Sequence, residues 1–371
     1  MFDSVPFVVM QSGVPIYLSG PAGSGKTTSI ELVAKRLNRK CYCAIVHQGD
    51  PIEVTGLPYI DVKAGVMKYT PPEWVKVANA EPSIIFFDEA SGLDESYQLR
   101  MLTILSHRRV GAYSIPDHTW FVLAGNPIES GTSASLFSIP FITRLCCFDW
   151  QPDDNLWMNH MLTADMSFDV EIPDIPVLPN NWTNYLPETG SYINAFLKTS
   201  RNFVSFSEKE LKGLTNSPVP TRRSWDLARR AFAAVKAVNM ASHENTFRVV
   251  SGCVGRPAAG AFCEYISKLD LPDSKELIQN AARGMEVLKR FRLDQIYIIV
   301  SSACIAVDLN DPVERRGIFN IINELYNNGQ AEFSALMIHL LTKREPQLEL
   351  PPELVSRLMP LASKIRAAKG N

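Results

Sequence analysis

The chain has 371 residues, of which 46% are hydrophobic and 20% charged, with a formal net charge of −2. That length predicts two or three domains, and that composition a buried core. The near-neutral balance excludes the overall basic surplus of a typical nucleic-acid binder, and no apolar run is long enough to span a bilayer.

The opening stretch, MFDSVPFVVMQSGVPIYLSG, has neither a basic leader nor a small-residue cleavage site, so no signal peptide is read and a cytoplasmic protein is expected. Residues 15–149 then alternate short apolar runs with helical patterns, which predicts an α/β fold with a parallel sheet and crossover helices. PIYLS (15–19) is the first strand. The next helix shows Ile30, Val33, Ala34 and Leu37 on one face and closes on Asn38, Arg39 and Lys40, basic charge suited to a helix C-terminus. CYCAIVH (41–47) and PSIIFFDEA (82–90) read as strands, the latter buried. Leu99, Leu102 and Leu105 mark a helix between Asp94 and Arg109, and TWFVLAGNP (119–127) and RLCCFDW (144–150) are the remaining strands. Two inserts, at 56–74 and 108–118, carry the glycine and proline punctuation of hairpins.

Beyond about residue 151 the pattern changes. EIPDIPVLPNNW (171–182) reads as an extended connector. A helix follows with Trp225, Ala228, Phe232 and Val235 on one stripe, and the tail from about 275 is helical, ending in PELVSRLMPLASKIRAAKG. The expected division is 1–150, an α/β core; 151–270, connector and helical lid; and 271–371, a helical C-terminal region. The seven cysteines include no C-x-x-C pair. Cys41 and Cys43, with His47 nearby, and the adjacent Cys146 and Cys147 have the wrong spacing for zinc, so reduced, packed thiols are expected. His107 and His118 suggest no chemistry.

The octapeptide GPAGSGKT, residues 20–27, fits G-x-x-x-x-G-K-[ST] between a strand and a helix. In that context Gly20, Pro21, Ala22, Gly23, Ser24 and Gly25 bring backbone N–H groups around phosphate, aided by the helix dipole. Lys26 neutralises the β/γ-phosphates, Thr27 holds Mg²⁺, and Thr28 completes the binding segment. An acidic group is then expected at the end of a buried strand. IIFFDEA supplies Asp88 for the Mg²⁺ shell and Glu89 to polarise an attacking water. Asn126, ending the following strand, can donate to one oxygen and accept from another, which suits a residue that fixes the water. Arg144, just before a strand, could reach a γ-phosphate held by a neighbouring subunit, or could instead form a salt bridge. PTRRSW (220–225) places Arg222 and Arg223 after an N-cap candidate, Thr221. Cations there oppose the helix dipole, so a phosphate partner is the economical explanation.

These motifs, in this order, resemble an AAA+ ATPase, and within that class the MoxR-like group related to dynein and chelatase ATPases. The resemblance spans about residues 1–270 and rests on VPIYLSGPAGSGKT, GDPIEVTGLPYID, YTPPEW, IIFFDEA, HRRVGAYSIPD, FVLAGNP, FITRLCCFDW, PTRRSW and VGRPAAGAFCEYISKLDLPD. It implies an α/β nucleotide-binding core, a small helical lid and a homo-hexameric ring with ATP between subunits. Arg144 would be the arginine finger supplied in trans, Asn126 sensor 1, and Arg223, or else Arg222, the sensor-2 arginine. The two hairpins match inserts near the ring's pore. The group has Asn-Arg-Phe where this chain reads Ile-Thr-Arg-Leu at 142–145. The resemblance further implies a chaperone-like partnership with a protein bearing a von Willebrand factor A domain.

Other functions fit less well. A small-molecule kinase has no need of Asp-Glu, the following Asn and lid arginines together. A GTPase would carry Asn/Thr-Lys-x-Asp, whose nearest match is TKRE at 342–345. A clamp-loader or initiator-like AAA+ ATPase acting on DNA is the alternative, opposed by the hairpins and the missing basic surplus. An ATP-binding scaffold would gain nothing from Glu89.

Overall fold

The computed structural model describes residues 2–46, 52–127, 136–151, 154–162, 174–204, 217–280 and 288–356. His47, residues 49–51 of the GDPIEVTGLPYID segment, 171–173 of the connector and 357–371 of the tail lie outside the described residues. The chain divides into two compact units, Met1–Pro179 with Ser200–Cys263, and Asn180–Thr199 with Glu264–Asn371.

In the first unit a parallel sheet is built from β1 (Ile16–Ser19), β2 (Lys40–Ile45), β5 (Ser83–Asp88), β8 (Trp120–Gly125) and β9 (Cys146–Asp149), in the order β2-β5-β8-β1-β9. The interior strands β5 and β8 are buried almost throughout, as a sheet covered on both faces requires, whereas the edge strand β2 is partly exposed. The order reverses at β1, which pairs with β8 on one side and β9 on the other. In such sheets the crevice beyond the carboxyl ends of the strands, at this reversal, receives the ligand.

Helix α2 (Lys26–Arg36) buries Ile30, Val33 and Ala34, and its last turn carries Lys35 and Arg36. It therefore closes earlier than the sequence pattern implied: Asn38 turns into the left-handed region at φ 52°, and Lys40 already belongs to β2. Helix α5 (Glu95–His107) starts where expected, with Asp94 accepting from Tyr97 N at 2.8 Å. Of the leucines that marked it, Leu105 is buried and Leu102 packs against the core. Tyr97, Met101, Ile104 and Leu105 point inward, while Leu99 is 55% exposed. A spacing of three and three drifts around a helix, whereas 97, 101, 104 and 105 keep to one face.

Both hairpins form. The first pairs β3 (Leu57–Asp61) with β4 (Val66–Thr70), its turn closed by Asp61 Oδ1, which accepts from the N–H groups of Lys63 and Ala64 at 3.1 Å. The short helix α3 (Ile52–Thr55) precedes it and α4 (Glu73–Ala80) follows. Trp74 of α4 anchors the insert. It is fully buried, lies edge-on to Phe87 and Phe121, and donates its indole N–H to Val54 O at 3.2 Å. The second hairpin is the short pair β6 (Arg109–Val110) and β7 (Tyr113–Ser114).

One element was not anticipated. Helix α1 (Val5–Gln11) is buried at every residue and packs against α9 (Arg222–Ala237) and α10 (His243–Val254). Arg230 of α9 donates to Ser12 O at 2.8 Å, and Arg248 of α10 pairs with Asp3. The expected stripe on α9 is buried, Trp225, Ala228, Phe232 and Val235 included.

In the second unit the helices 293–306, 312–327 and 331–344 enclose a core of Ile296, Ile299, Ile318, Ile322, Phe333 and Met337. Arg344 donates to the carbonyls of Cys304, Ile305 and Val307, satisfying the free end of the helix 293–306. Helix α8 (Leu186–Thr199) packs on that same helix, with Ser302 Oγ donating to Glu188 Oε1 at 2.6 Å.

Candidate nucleotide site

The loop between β1 and α2 opens at the sheet's reversal point. Gly23 and Gly25 have φ of 72° and 75°, a backbone conformation that side chains disfavour, and a Cβ on either would meet nothing within 4 Å. The loop thus leaves open space over its crest. Lys26, 8% exposed, turns its ammonium into the loop and donates to Gly20 O and Pro21 O, each at 2.8 Å. Burial lowers its pKa from the ordinary lysine value, with the Asp88 charge acting against that shift.

The strand end and the loop meet directly. Thr27 Oγ1 donates to Asp88 Oδ2 at 2.7 Å across 61 positions of sequence. Asp88 Oδ1 in turn accepts from Glu89 N at 2.8 Å. Glu89 sits in the left-handed region at φ 58° and its side chain is exposed. A non-glycine residue there costs about 1–2 kcal/mol, and such outliers concentrate where chemistry is done.

Asn126 is brought alongside by a close approach. A Cβ on Gly125 would lie 2.7 Å from both Ser91 N and Tyr17 Oη, so only glycine lets β8 end against the segment after Glu89. Asn126 N then donates to Ser91 Oγ at 3.1 Å. Ser91, absent from the sequence reading, is the residue that joins the two strand ends.

Arg144 lies at the other end of the sheet. Cys146 is in register with Ile16 and Asp149 with Ser19, so residue 144 precedes the amino ends of the strands. At about 3.3 Å per residue, roughly 10 Å of strand separates those ends from the loop side. Arg144 is half-buried, and its guanidinium donates to Ser106 Oγ and Pro140 O. Burial lowers its pKa, and the nearby charge of Arg223 lowers it further. Arg222 and Arg223 are exposed on the first turn of α9, where Thr221 caps the helix by accepting from Ser224 N at 3.1 Å. Among the described residues no ion pair is found for Arg144, Arg222 or Arg223, so the salt-bridge reading of Arg144 gains no carboxylate.

A match of residues 15–127 to the AAA domain of the dynein-related subfamily covers both halves of this phosphate site, from β1 to Asn126. Those residues form an AAA+ ATPase domain. The structure is similar to that of a Cytophaga hutchinsonii protein named a putative ATPase, with a TM-score of 0.50 and 13% identity over 72% of this chain and 89% of that one, a likeness of fold. No curated protein matches the sequence.

All seven cysteines are free thiols, and Cys43 is exposed rather than packed. Cys146 is buried, and burial raises its pKa well above that of an exposed thiol, which leaves it inert. Among the described residues no group of three or more His, Cys, Asp or Glu stands together to hold a metal, and no helix is long and apolar enough to cross a membrane. Thr27 and Asp88 remain as a hard-oxygen pair, a donor set that fits Mg²⁺, which takes few protein ligands and keeps its waters.

Proposed function

We propose that this AAA+ ATPase hydrolyses ATP with Mg²⁺ at subunit interfaces of a homo-hexameric ring and, in the manner of the MoxR-like group, remodels a protein complex in the cytoplasm. The observation that carries the reading is the Thr27–Asp88 hydrogen bond, which ties the phosphate loop to the strand end presenting Glu89.

In this reading Gly20, Pro21, Ala22, Gly23, Ser24, Gly25, Lys26, Thr27 and Thr28 hold the triphosphate, through N–H groups and one ammonium. Thr27 and Asp88 hold Mg²⁺, which when bound neutralises charge on the β- and γ-phosphate oxygens. Glu89 accepts the proton of the attacking water, and Asn126 orients that water without changing its own charge. Arg144 cannot serve the loop of its own chain, being at the opposite end of the strands, so it completes a neighbour's site as the arginine finger. Arg223, or Arg222 in its place, adds a second cation to that same reaction.

The exposed apolar side chains of the first hairpin favour a protein as the remodelled partner. Ile60, Val62 and Met67 are 75%, 86% and 63% exposed, a surface suited to apolar protein contacts rather than phosphates. A protein with a von Willebrand factor A domain is the partner class proposed.

The test is Glu89→Gln. The variant should retain ATP binding and lose turnover by on the order of 10²–10⁴-fold, the usual worth of a general base. Hydrolysis at the wild-type rate would remove Glu89 from that role. The same variant, arrested with ATP bound, should capture the partner; recovery of DNA with clamp-like proteins instead would overturn the remodelling reading.

A further inference from the structure

The phosphate loop is gripped from outside by a residue that belongs to none of the nucleotide motifs. Trp150 directly follows β9. Its backbone N–H donates to Ser19 O at 2.6 Å, and its indole Nε1–H donates to Ser24 O at 3.0 Å. A Cβ on Gly20 would lie 2.9 Å from both the Cβ and the carbonyl oxygen of Trp150, so the loop's first residue is pressed against it. One residue therefore touches the loop where it leaves β1, at its first glycine and at its crest.

Trp150 is itself held firmly. It is 5% exposed and lies edge-on to Phe2 and Phe7, at 6.3 and 6.2 Å, and those two rings stack on each other at 5.6 Å. Phe7 belongs to the fully buried α1. The indole N–H is thus fixed in direction by packing before any nucleotide arrives.

We infer that Trp150 is a positioning residue that presets the phosphate loop for the triphosphate. A trans peptide is planar, with its C=O and N–H pointing opposite ways. Pinning Ser24 O on the indole turns the Gly25 N–H away from Trp150 and holds it there. Gly25 and Gly23, on either side of Ser24, are the residues whose backbones move most freely, since glycine populates both signs of φ. Without the indole bond that segment samples other conformations, and phosphate binding must bear the cost of ordering it. The core needs an aromatic ring at this position; only the loop needs its N–H.

The inference rests on the nucleotide reading, and Trp150→Phe separates the two. Phenylalanine keeps a ring against Phe2 and Phe7 and removes the donor. MgADP binding, followed with a fluorescent ADP, should weaken roughly 3- to 10-fold, the net worth of one buried hydrogen bond. The KM for ATP should rise by a similar factor while kcat moves less. In the nucleotide-free protein, amide hydrogen exchange over residues 20–28 should accelerate with other segments unchanged. Unaltered affinity together with unaltered loop exchange would overturn the assignment, as would a lowered melting temperature with no selective change in the loop. If the wild-type protein binds no nucleotide, the nucleotide reading fails, and the loop exchange still decides whether Trp150 orders the loop. Should phenylalanine not support folding, Trp150→Tyr carries the same test, because its hydroxyl lies at the ring tip and not where the indole nitrogen was.

Discussion

At the carboxyl ends of the strands, Thr27 and the Glu89 N–H both bond Asp88, Asn126 bonds Ser91, three residues beyond Asp88, and Lys26 turns its ammonium into the loop. At the amino ends, Arg144 stands on Ser106 and Pro140 with the charge of Arg223 close by. In the proposed reading the first region offers a place for phosphate and a carboxylate to drive hydrolysis, but its single buried ammonium would face a triphosphate. The second has three arginines, none of them ion-paired among the described residues. In the proposed mechanism neither end is complete, and each supplies what the other lacks. In one chain they are held apart by the length of the strands, which is why the proposed mechanism draws one site from two copies.

This contrast can be broken from either end. Arg144→Ala should lower kcat by on the order of 10³-fold, the scale of an arginine finger, while leaving nucleotide affinity within about 3-fold of wild type. Equal losses in affinity and turnover would place Arg144 at its own chain's nucleotide. Lys26→Ala should do the reverse, weakening ATP binding roughly 10- to 100-fold, as loss of a charged hydrogen-bond donor does. The same lysine gives a pH signature. Its pKa in the free protein is lowered by burial, so raising pH neutralises it earlier than an ordinary lysine. Affinity should therefore be flat at lower pH and fall as pH climbs through that lowered pKa, with proton uptake on binding in the same window. Calorimetry in buffers of different ionisation enthalpy measures that uptake.

The smallest expected effect sharpens the first region. Gly125→Ala pushes a methyl into Ser91 and Tyr17. It should cost about 1–3 kcal/mol of stability, as overpacking does, and lower kcat about 10-fold by moving Asn126. A variant that loses stability with kcat intact would show that Asn126 tolerates displacement.

The phosphate loop, the buried strand ending in Asp-Glu and the next strand ending in Asn were legible because each is a local pattern: glycines, a lysine, an apolar run, a terminal polar residue. What joins them was not. Ser91 and Trp150 act on partners 35 and 126 positions away, and neither carries a sign in its own neighbourhood. Helix α1 was missed because VPFVVMQ is apolar on every side, which leaves no periodicity to read. On α5 the leucines drew attention from Tyr97, Met101 and Ile104, which share the buried face with Leu105. The tail was legible as helices. That residues 180–199 share a compact unit with the tail, while 200–263 belong with the sheet, was hidden, since it depends on contacts such as Ser302 with Glu188.

The central claim is that the two ends of the sheet meet across a subunit boundary. Its most direct test mixes Glu89→Gln protein with Arg144→Ala protein, each inactive alone, and measures ATP hydrolysis against the ratio of the two. Where an Arg144→Ala pocket meets a Glu89→Gln neighbour, the pocket has its glutamate and the neighbour its arginine, so activity should return and peak at intermediate ratios. Hydrolysis that stays at the level of the separate variants, in a mixture shown to co-assemble, would contradict the account.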